Sequence, residues 1–297
     1  MLMTENRIID IAEHGGRIHV DTGNLVLELE GQEPWCCPVD DVAAVSISHP
    51  RVSISKAALA ACAQEAVCLV VCDEKYMPVG MMLSLHGHHI QAERFARQAA
   101  ASVPTRKRLW QQIVKAKLRA QARLLEELYG TDAGIRDLVA RVRSGDPANV
   151  EAQAARRYWP ELMKGRFLRD RDGSWPNPAF NYGYAILRAI TARAITTAGL
   201  HPSLGLHHHN RYDAFCLADD LMEPFRPIVD RAIVTKIDKD RGDPALDRKD
   251  REALIGALYE RFEWGGDMRT LFDILSRVAI SLTEVFIGTE SALALPV

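Results

Sequence analysis

Apolar and polar positions alternate along residues 7–29, and from residue 91 onward a helical period takes over that runs almost to the end of the chain. The first stretch contains RIIDI, RIHVD and NLVLELE, with alternation at Ile18 and Val20 and at Leu25, Leu27 and Leu29, and with Gly15-Gly16 and Gly23-Asn24 between them. A period of two bounded by glycine turns predicts a β-meander. VDDVAAVSIS and AVCLVVCD read as further strands on either side of a helix over 56–65. The cysteines of the second strand serve there as small core hydrophobes. The pattern breaks at MPVGMMLSLHGHHI, where Pro78, Gly80 and Gly87 predict a linker. Beyond it, helical spacing predicts helices over 91–128, over 132–143, from Asn149 through NVEAQAARRYWPEL, over 180–197, in a short run ending near Pro224, and over 268–286. Residues 166–178 form a turn-rich polar loop, residues 236–251 a charged solvated one, and the Ala/Ile-rich 180–197 segment a central buried helix. The predicted fold is α+β: an N-terminal β-sheet or β-sandwich domain over 1–76, a linker over 77–90 and a larger all-α domain over 91–297.

With 47% of its residues apolar the chain can build a sizeable core, and its net charge of −2 creates no global field that would attract a polyanion. Any nucleic-acid footprint must then be local, and residues 91–128 hold one. Arg94, Arg97, Arg106, Lys107, Arg108, Lys115, Lys117, Arg119 and Arg123 face only Glu93 until Glu126 is reached. A basic helical face with Trp110 interleaved fits contact with a phosphate backbone, although a solvated helix face produces the same run. The cysteines at 36, 37, 62, 68, 72 and 216 contain no CxxC pair, which suits free thiols in a reducing cytosol and argues against structural zinc. MLMTENRIIDIAEHG carries acids and no long apolar core, so it is not a secretory signal. No stretch reaches the roughly 18 uninterrupted apolar residues of a membrane span, so a cytoplasmic protein without a membrane partner is expected.

The candidate chemistry concentrates in GLHHHNRYDAFCLADDLMEPFRPIVD, residues 205–230. Three apart on a helix, Asp220 and Glu223 share a face, whereas Asp219 points elsewhere. Glu223 precedes Pro224, which ends or kinks the helix and projects the carboxylate toward a ligand. Of the three consecutive histidines, either His208 alone or His207 with His209 can turn to one point, and spacing does not choose between them. Hard oxygen ligands with one imidazole suit Mg²⁺ or Mn²⁺. A second histidine group, His86, His88 and His89, lacks carboxylate company and reads as a solvated or DNA-adjacent linker. Glu151 lies in the first turn after Asn149, where helix-dipole stabilisation alone accounts for an acid.

Gly205-Leu206-His207-His208 followed by DLMEPFRPIVD, with NVEAQAARRYW upstream, resembles the CRISPR-associated integrase of spacer acquisition in its type II form. The resemblance spans the whole chain, with the motifs in the expected order. It implies an acid on the helix holding the tyrosine-containing pattern, a histidine three residues after the glycine and an acid in the DLME segment. These fall on Glu151, His208 and Glu223 as catalytic residues and metal ligands, with Asp220 as a supporting acid. The implied reaction is metal-assisted phosphoryl transfer using Mg²⁺ or Mn²⁺, in which the 3′-hydroxyl of a short prespacer DNA attacks the repeat array; with water as nucleophile the site is an endonuclease. The implied partners are double-stranded DNA, held in part by Arg94, Arg97, Arg106, Lys107, Arg108, Lys115 and Arg119, a second copy of the chain joined through the β domain, and the small partner subunit of the adaptation complex.

Two other readings compete. A metal-dependent phosphoesterase of small substrates would use the same cluster inside a closed pocket and would not need the basic helix. A non-catalytic DNA-binding scaffold would make Glu151 and Glu223 structural.

Overall fold

The computed structural model describes residues 5–74, 76–84, 86–165, 167–170, 172–239 and 246–296. Arg166 and Arg171 of the predicted polar loop, and residues 240–245 of the charged one, lie outside the described residues. The N-terminal part runs β1 (Arg7–Ile11), β2 (Gly16–Asp21), β3 (Asn24–Leu29), β4 (Trp35–Pro38), β5 (Val42–Ile47), β6 (Val52–Ile54), α1 (Lys56–Gln64), β7 (Cys68–Cys72) and β8 (Pro78–Met82). Its strands form two sheets, ordered β1-β5-β7-β8 and β4-β3-β2-β6.

The predicted meander holds for β2 and β3, which pair antiparallel with Val20 opposite Leu25, and β4, which the sequence pattern does not mark, extends it with Leu27 opposite Trp35. β1 does not belong to it and instead pairs parallel with β5, Ile9 opposite Val45. The cause lies in β5. VAAVSI is buried along its whole length, and an apolar run covered on both faces suits a central strand with parallel partners at both edges. It takes β1 on one side and β7 on the other. The linker reading is corrected in the same way, since Pro78–Met82 forms β8, antiparallel to β7. Pro78 is tolerated because β8 is an edge strand, where a missing N–H need not leave a bond unmade. Val42, Val45 and Leu69 pack against Ile18, Leu25 and Leu27 of the second sheet, while Ala43, Ala44, Cys68 and Val70 join the core of the helical part.

That part runs α2 (Gln91–Ala99), α3 (Val103–Tyr129), α4 (Arg136–Val139), α5 (Val150–Met163), α6 (Asn177–Thr197), α7 (Cys216–Met222), α8 (Arg226–Lys236), α9 (Arg248–Leu258), β9 (Arg261–Trp264), β10 (Asp267–Thr270) and α10 (Leu271–Ile287). α6 is buried along nearly all its length and packs on β5, α7, α8, α9 and α10, so it is the central helix that its composition predicts. The helix expected over 91–128 is two helices, because Ser102 caps α3 by accepting from Thr105 N at 3.2 Å, with Pro104 in the first turn. The one expected over 132–143 shrinks to α4, because the Asp132 carboxylate accepts from the backbone of Gly134 and Arg136 and holds a turn instead. The β9–β10 hairpin lies between the charged loop and the last helix, where the sequence pattern predicts no strand. Gly265 and Gly266, with φ of +58° and +85°, form the two-residue turn that paired glycines favour. α10 therefore starts at Leu271 on a Thr270 cap. Arg251, expected on the solvated charged loop, is 2% exposed and pairs with Asp10 at 2.9 Å and with Glu13, tying α9 to the first sheet. Among the described residues no helix is long and apolar enough to cross a membrane.

Candidate active site

Three chain segments meet where α3 crosses α5 and the turn between α7 and α8. Asn149 begins α5 in the left-handed conformation, φ +48°, and its side chain accepts from Ala152 N. The Asp146 carboxylate accepts from Val150 N at 2.9 Å and Glu151 N at 3.0 Å. These two residues satisfy the first-turn donors, so capping does not occupy the Glu151 carboxylate. It reaches instead to α3, where Lys117 Nζ donates to Glu151 Oε1 at 2.6 Å.

Glu223 arrives from the other side. α7 ends at Met222 and Glu223–Phe225 form a single 3₁₀ turn, the break that Pro224 predicts. Glu223 is 5% exposed. Its Oε1 accepts from Arg226 Nε at 2.9 Å, and its Oε2 lies 2.6 Å from Lys117 Nζ. Lys117 thus bridges the two carboxylates, and its contact with Glu223 also helps to hold that carboxyl ionised. Burial works against the Glu223 charge, but Arg226 and Lys117 outweigh it and pull its pKa down to about 2. Burial opposes the Lys117 charge too, and Glu223 with Glu151 overcomes it, raising the lysine above its ordinary value.

Asp220 is fully buried and organises the histidine turn. It accepts from the backbone N–H groups of Leu206 at 2.6 Å, His207 at 3.0 Å and His208 at 3.3 Å, and its Oδ1 lies 2.6 Å from His208 Nδ1. This hydrogen bond raises the His208 pKa and leaves Nε2 as the ring's other polar atom, on a side chain 44% exposed. Gly205 makes the turn possible: a Cβ there would sit 2.4 Å from His208 O and 2.9 Å from Cys216 Cβ. The histidines thus have different surroundings. His207 stacks on Trp110 with centroids 4.2 Å apart and planes at 3°, His208 meets Asp220, and His209 is exposed. Asp219 turns away, as its position predicts, and pairs with Arg188 at 2.6 Å.

Behind Glu223, Asp230 of α8 accepts from Tyr158 OH at 2.7 Å and from Tyr184 OH. Burial raises the Asp230 pKa to about 6 against the pull of those hydroxyls. Arg226 sits over the Tyr184 ring at 4.5 Å, joining this network to Glu223.

The basic face divides. Arg94 donates to Ala198 O at 2.6 Å, capping the C-terminus of α6, so it is turned inward, whereas Arg97 is exposed beside Glu93. Lys107 and Arg108 are exposed, and Arg106, Lys115 and Arg119 are half-buried. Lys117 stands apart. Sequence reading grouped it with this face, yet its side chain is only 14% exposed and belongs to the cluster. A signal for it existed: Trp110, Ile113, Lys117 and Gln121 form one helical stripe, and charge on an otherwise buried stripe marks an internal partner. Arg226 and Tyr184 were missed with it.

Among the described residues no group of three or more His, Cys, Asp and Glu side chains is gathered closely enough to hold an ion. The two glutamates converge on the ammonium instead. Their chemistry nonetheless suits a hard divalent cation. Glu151 Oε1 and Glu223 Oε2 are within twice 2.6 Å of each other, both already hold a cation, and His208 is oriented through Nδ1 by a carboxylate in the manner of metal-ligating histidines.

Fold and cluster together define a two-part α+β protein, a β-sheet unit leading into a helical unit that gathers acids, imidazole and basic side chains. The chain belongs to the CRISPR-associated Cas1 family: the family model described as CRISPR associated protein Cas1 matches residues 9–254. The CRISPR-associated endonuclease Cas1 of Neisseria meningitidis serogroup C is 35% identical over 252 residues, 84% of this chain and 82% of that protein. A CRISPR-associated endonuclease Cas1 of Pyrobaculum aerophilum is 30% identical over 294 residues, 93% of this chain and 98% of that protein. Among solved structures, a casposase bound to integration product superposes with a TM-score of 0.80 at 21% identity, covering 97% of this chain and 92% of that one. A Cas1 protein from Thermotoga maritima gives 0.72 at 16%, covering 95% and 97%. A chain of a Cas6-RT-Cas1–Cas2 complex gives 0.75 at 19%, covering 98% of this chain and 36% of that one. At these identities the structural likeness concerns the fold.

Proposed function

We propose that the chain is a spacer-acquisition integrase of type II character that joins the 3′-hydroxyl ends of a short prespacer DNA into a repeat array, with Glu151, His208 and Glu223 as its metal-binding and catalytic residues. The observation that carries this reading is the convergence of Glu151 and Glu223, from separate elements, on one cation position beside a carboxylate-oriented histidine. Mg²⁺ or Mn²⁺ bound there supplies positive charge for the scissile phosphate and the developing alkoxide. The chain's own groups do the rest. Glu151, Glu223 and His208 Nε2 provide the donors, Asp220 fixes the His208 ring, and Arg226 holds Glu223 ionised. The exposed Lys107 and Arg108, with Arg97, Arg106, Lys115 and Arg119, track the phosphates of the duplex.

Exposure favours a polymer substrate over a small phosphoester. The Glu151 side chain is 26% exposed and that of His208 44%, so the site lies open at a surface rather than in a closed pocket. The remaining parts of the reading are a second copy of the chain joined through residues 1–76, and docking of a small partner subunit. The casposase carries an integration product, and another neighbour comes from a complex with Cas2.

Replacing Glu223 by alanine tests the assignment. Strand transfer of a 3′-hydroxyl oligonucleotide into a repeat-containing duplex should fall by roughly three orders of magnitude while duplex binding survives. Transfer retained with added Mn²⁺ would show that the site is misassigned, and turnover of a small phosphodiester without DNA would favour the phosphoesterase.

A further inference from the structure

We infer that Lys117 is a built-in counter-ion of this site: its ammonium holds Glu151 and Glu223 together in the metal-free protein and must leave them for the divalent cation to bind. The inference rests on the reading of Glu151 and Glu223 as ligands and adds a residue that neither the motif nor the family comparison assigns. Two carboxylate oxygens, each 2.6 Å from one nitrogen, mark a point where the fold requires positive charge. Glu223 is buried and Arg226 engages its Oε1, so without Lys117 only Arg226, on the other oxygen, would offset the repulsion between Glu223 and Glu151. A lysine suits this role better than an arginine, because a compact ammonium on a flexible stem can be withdrawn, whereas a planar guanidinium clamps a carboxylate by two bonds.

Charge favours exchange. One ammonium offers a single positive charge to two carboxylates. A divalent ion held by the same pair would bring twice that charge. Space for the displaced side chain is present, since a cavity of about 320 Å³ lies beside Lys117, with Trp159, Tyr184 and Arg226 in its wall. Lys117 is thus a positioning residue that holds the two ligands together and lowers the affinity of the free protein for the ion until it arrives.

The test is Mn²⁺ binding by calorimetry to the full chain without DNA. Lys117→Met should bind Mn²⁺ about tenfold more tightly than the native protein, and its melting temperature should start lower but rise further on adding Mn²⁺. Lys117→Arg, which keeps the charge and should fold, should bind no more tightly than native. Unchanged or weaker binding by Lys117→Met overturns the inference. Glu223→Gln in the same assay separates the two claims, because Mn²⁺ binding that survives it refutes the ligand assignment itself. Should Lys117→Met not fold, crystals of the native protein grown with and without Mn²⁺ decide the matter. A Lys117 ammonium between the two carboxylates without the ion and withdrawn with it supports the exchange, and an ammonium that stays in place beside bound Mn²⁺ overturns it.

Discussion

Two buried carboxylates, Glu223 just before α8 and Asp230 within it, differ in what surrounds them. Arg226 and Lys117 flank Glu223, whose pKa falls to about 2; Asp230 accepts from the hydroxyls of Tyr158 and Tyr184 and rises to about 6. Burial raises both, and the partners decide the outcome: cations in direct contact overcome desolvation at Glu223, while at Asp230 the hydroxyls, with a smaller pull from Arg226 and Arg169, only reduce its effect. The first environment keeps a carboxylate ionised for a cation. The second binds α5, α6 and α8 behind it into a rigid support.

Glu223→Gln breaks the comparison hardest. It leaves Lys117 and Arg226 with one carboxylate fewer, and chemical denaturation should report a loss of about 3–5 kcal/mol alongside the loss of strand transfer. Asp220→Asn leaves the His208 ring without its charged anchor, and Mn²⁺ affinity measured by calorimetry should weaken by about 10- to 100-fold with little change in duplex binding. Asp230→Asn keeps one acceptor but turns an amide N–H₂ toward a tyrosine hydroxyl, costing about 1–3 kcal/mol by thermal or denaturant melting.

The pH dependence of that last change sharpens the contrast. Glu223 titrates near 2 in the fold against an ordinary 4.5, so its stabilisation is present above pH 4.5 and is lost as the pH falls through 2. Asp230 runs the opposite way. Its folded value of about 6 exceeds the ordinary 3.8, so the fold retains a proton that the unfolded chain releases, and its contribution is complete below pH 3.8 and lost as pH rises through 6. Melting the native protein and Asp230→Asn at about pH 5 and about pH 7.5 should show a larger deficit for the variant at the lower pH. Equal deficits would mean that Asp230 does not titrate in this range.

The smallest effects separate two arginines of one basic run. Arg94→Ala removes the cap on α6 and should cost about 1 kcal/mol of stability, leaving the salt dependence of duplex binding unchanged. Arg108→Ala should leave stability intact and lower the slope of log K against log salt by about one. The reverse pattern would mean that the two positions have exchanged roles.

Legibility followed the range of the interactions. The period-two strands, the central α6, the Asn149 start and the break at Pro224 all depend on near neighbours, and each appears where its pattern places it. The parallel pairing of β1 with β5 was not legible, because strand partners are chosen by which buried run needs an edge covered. The Gly265-Gly266 turn is a local hairpin signal, but the charged residues around it mask the alternation of β9 and β10.

The amino-acid sequence by itself determined the α+β division, the family and the residues its motifs name, because periodicity, turn chemistry and motif spacing are local properties of the chain. Only the tertiary structure decided what surrounds those residues. Glu151 looks like a dipole complement until Asp146 and Asn149 are seen to satisfy the first turn of its helix. His208 is singled out from its neighbours by the buried Asp220 beneath it. Lys117, one basic residue among nine in its run, meets Glu151 34 positions away and Glu223 on another element. Charge compensation in a low-dielectric interior depends on distance in space, which the order of residues along a helix does not encode.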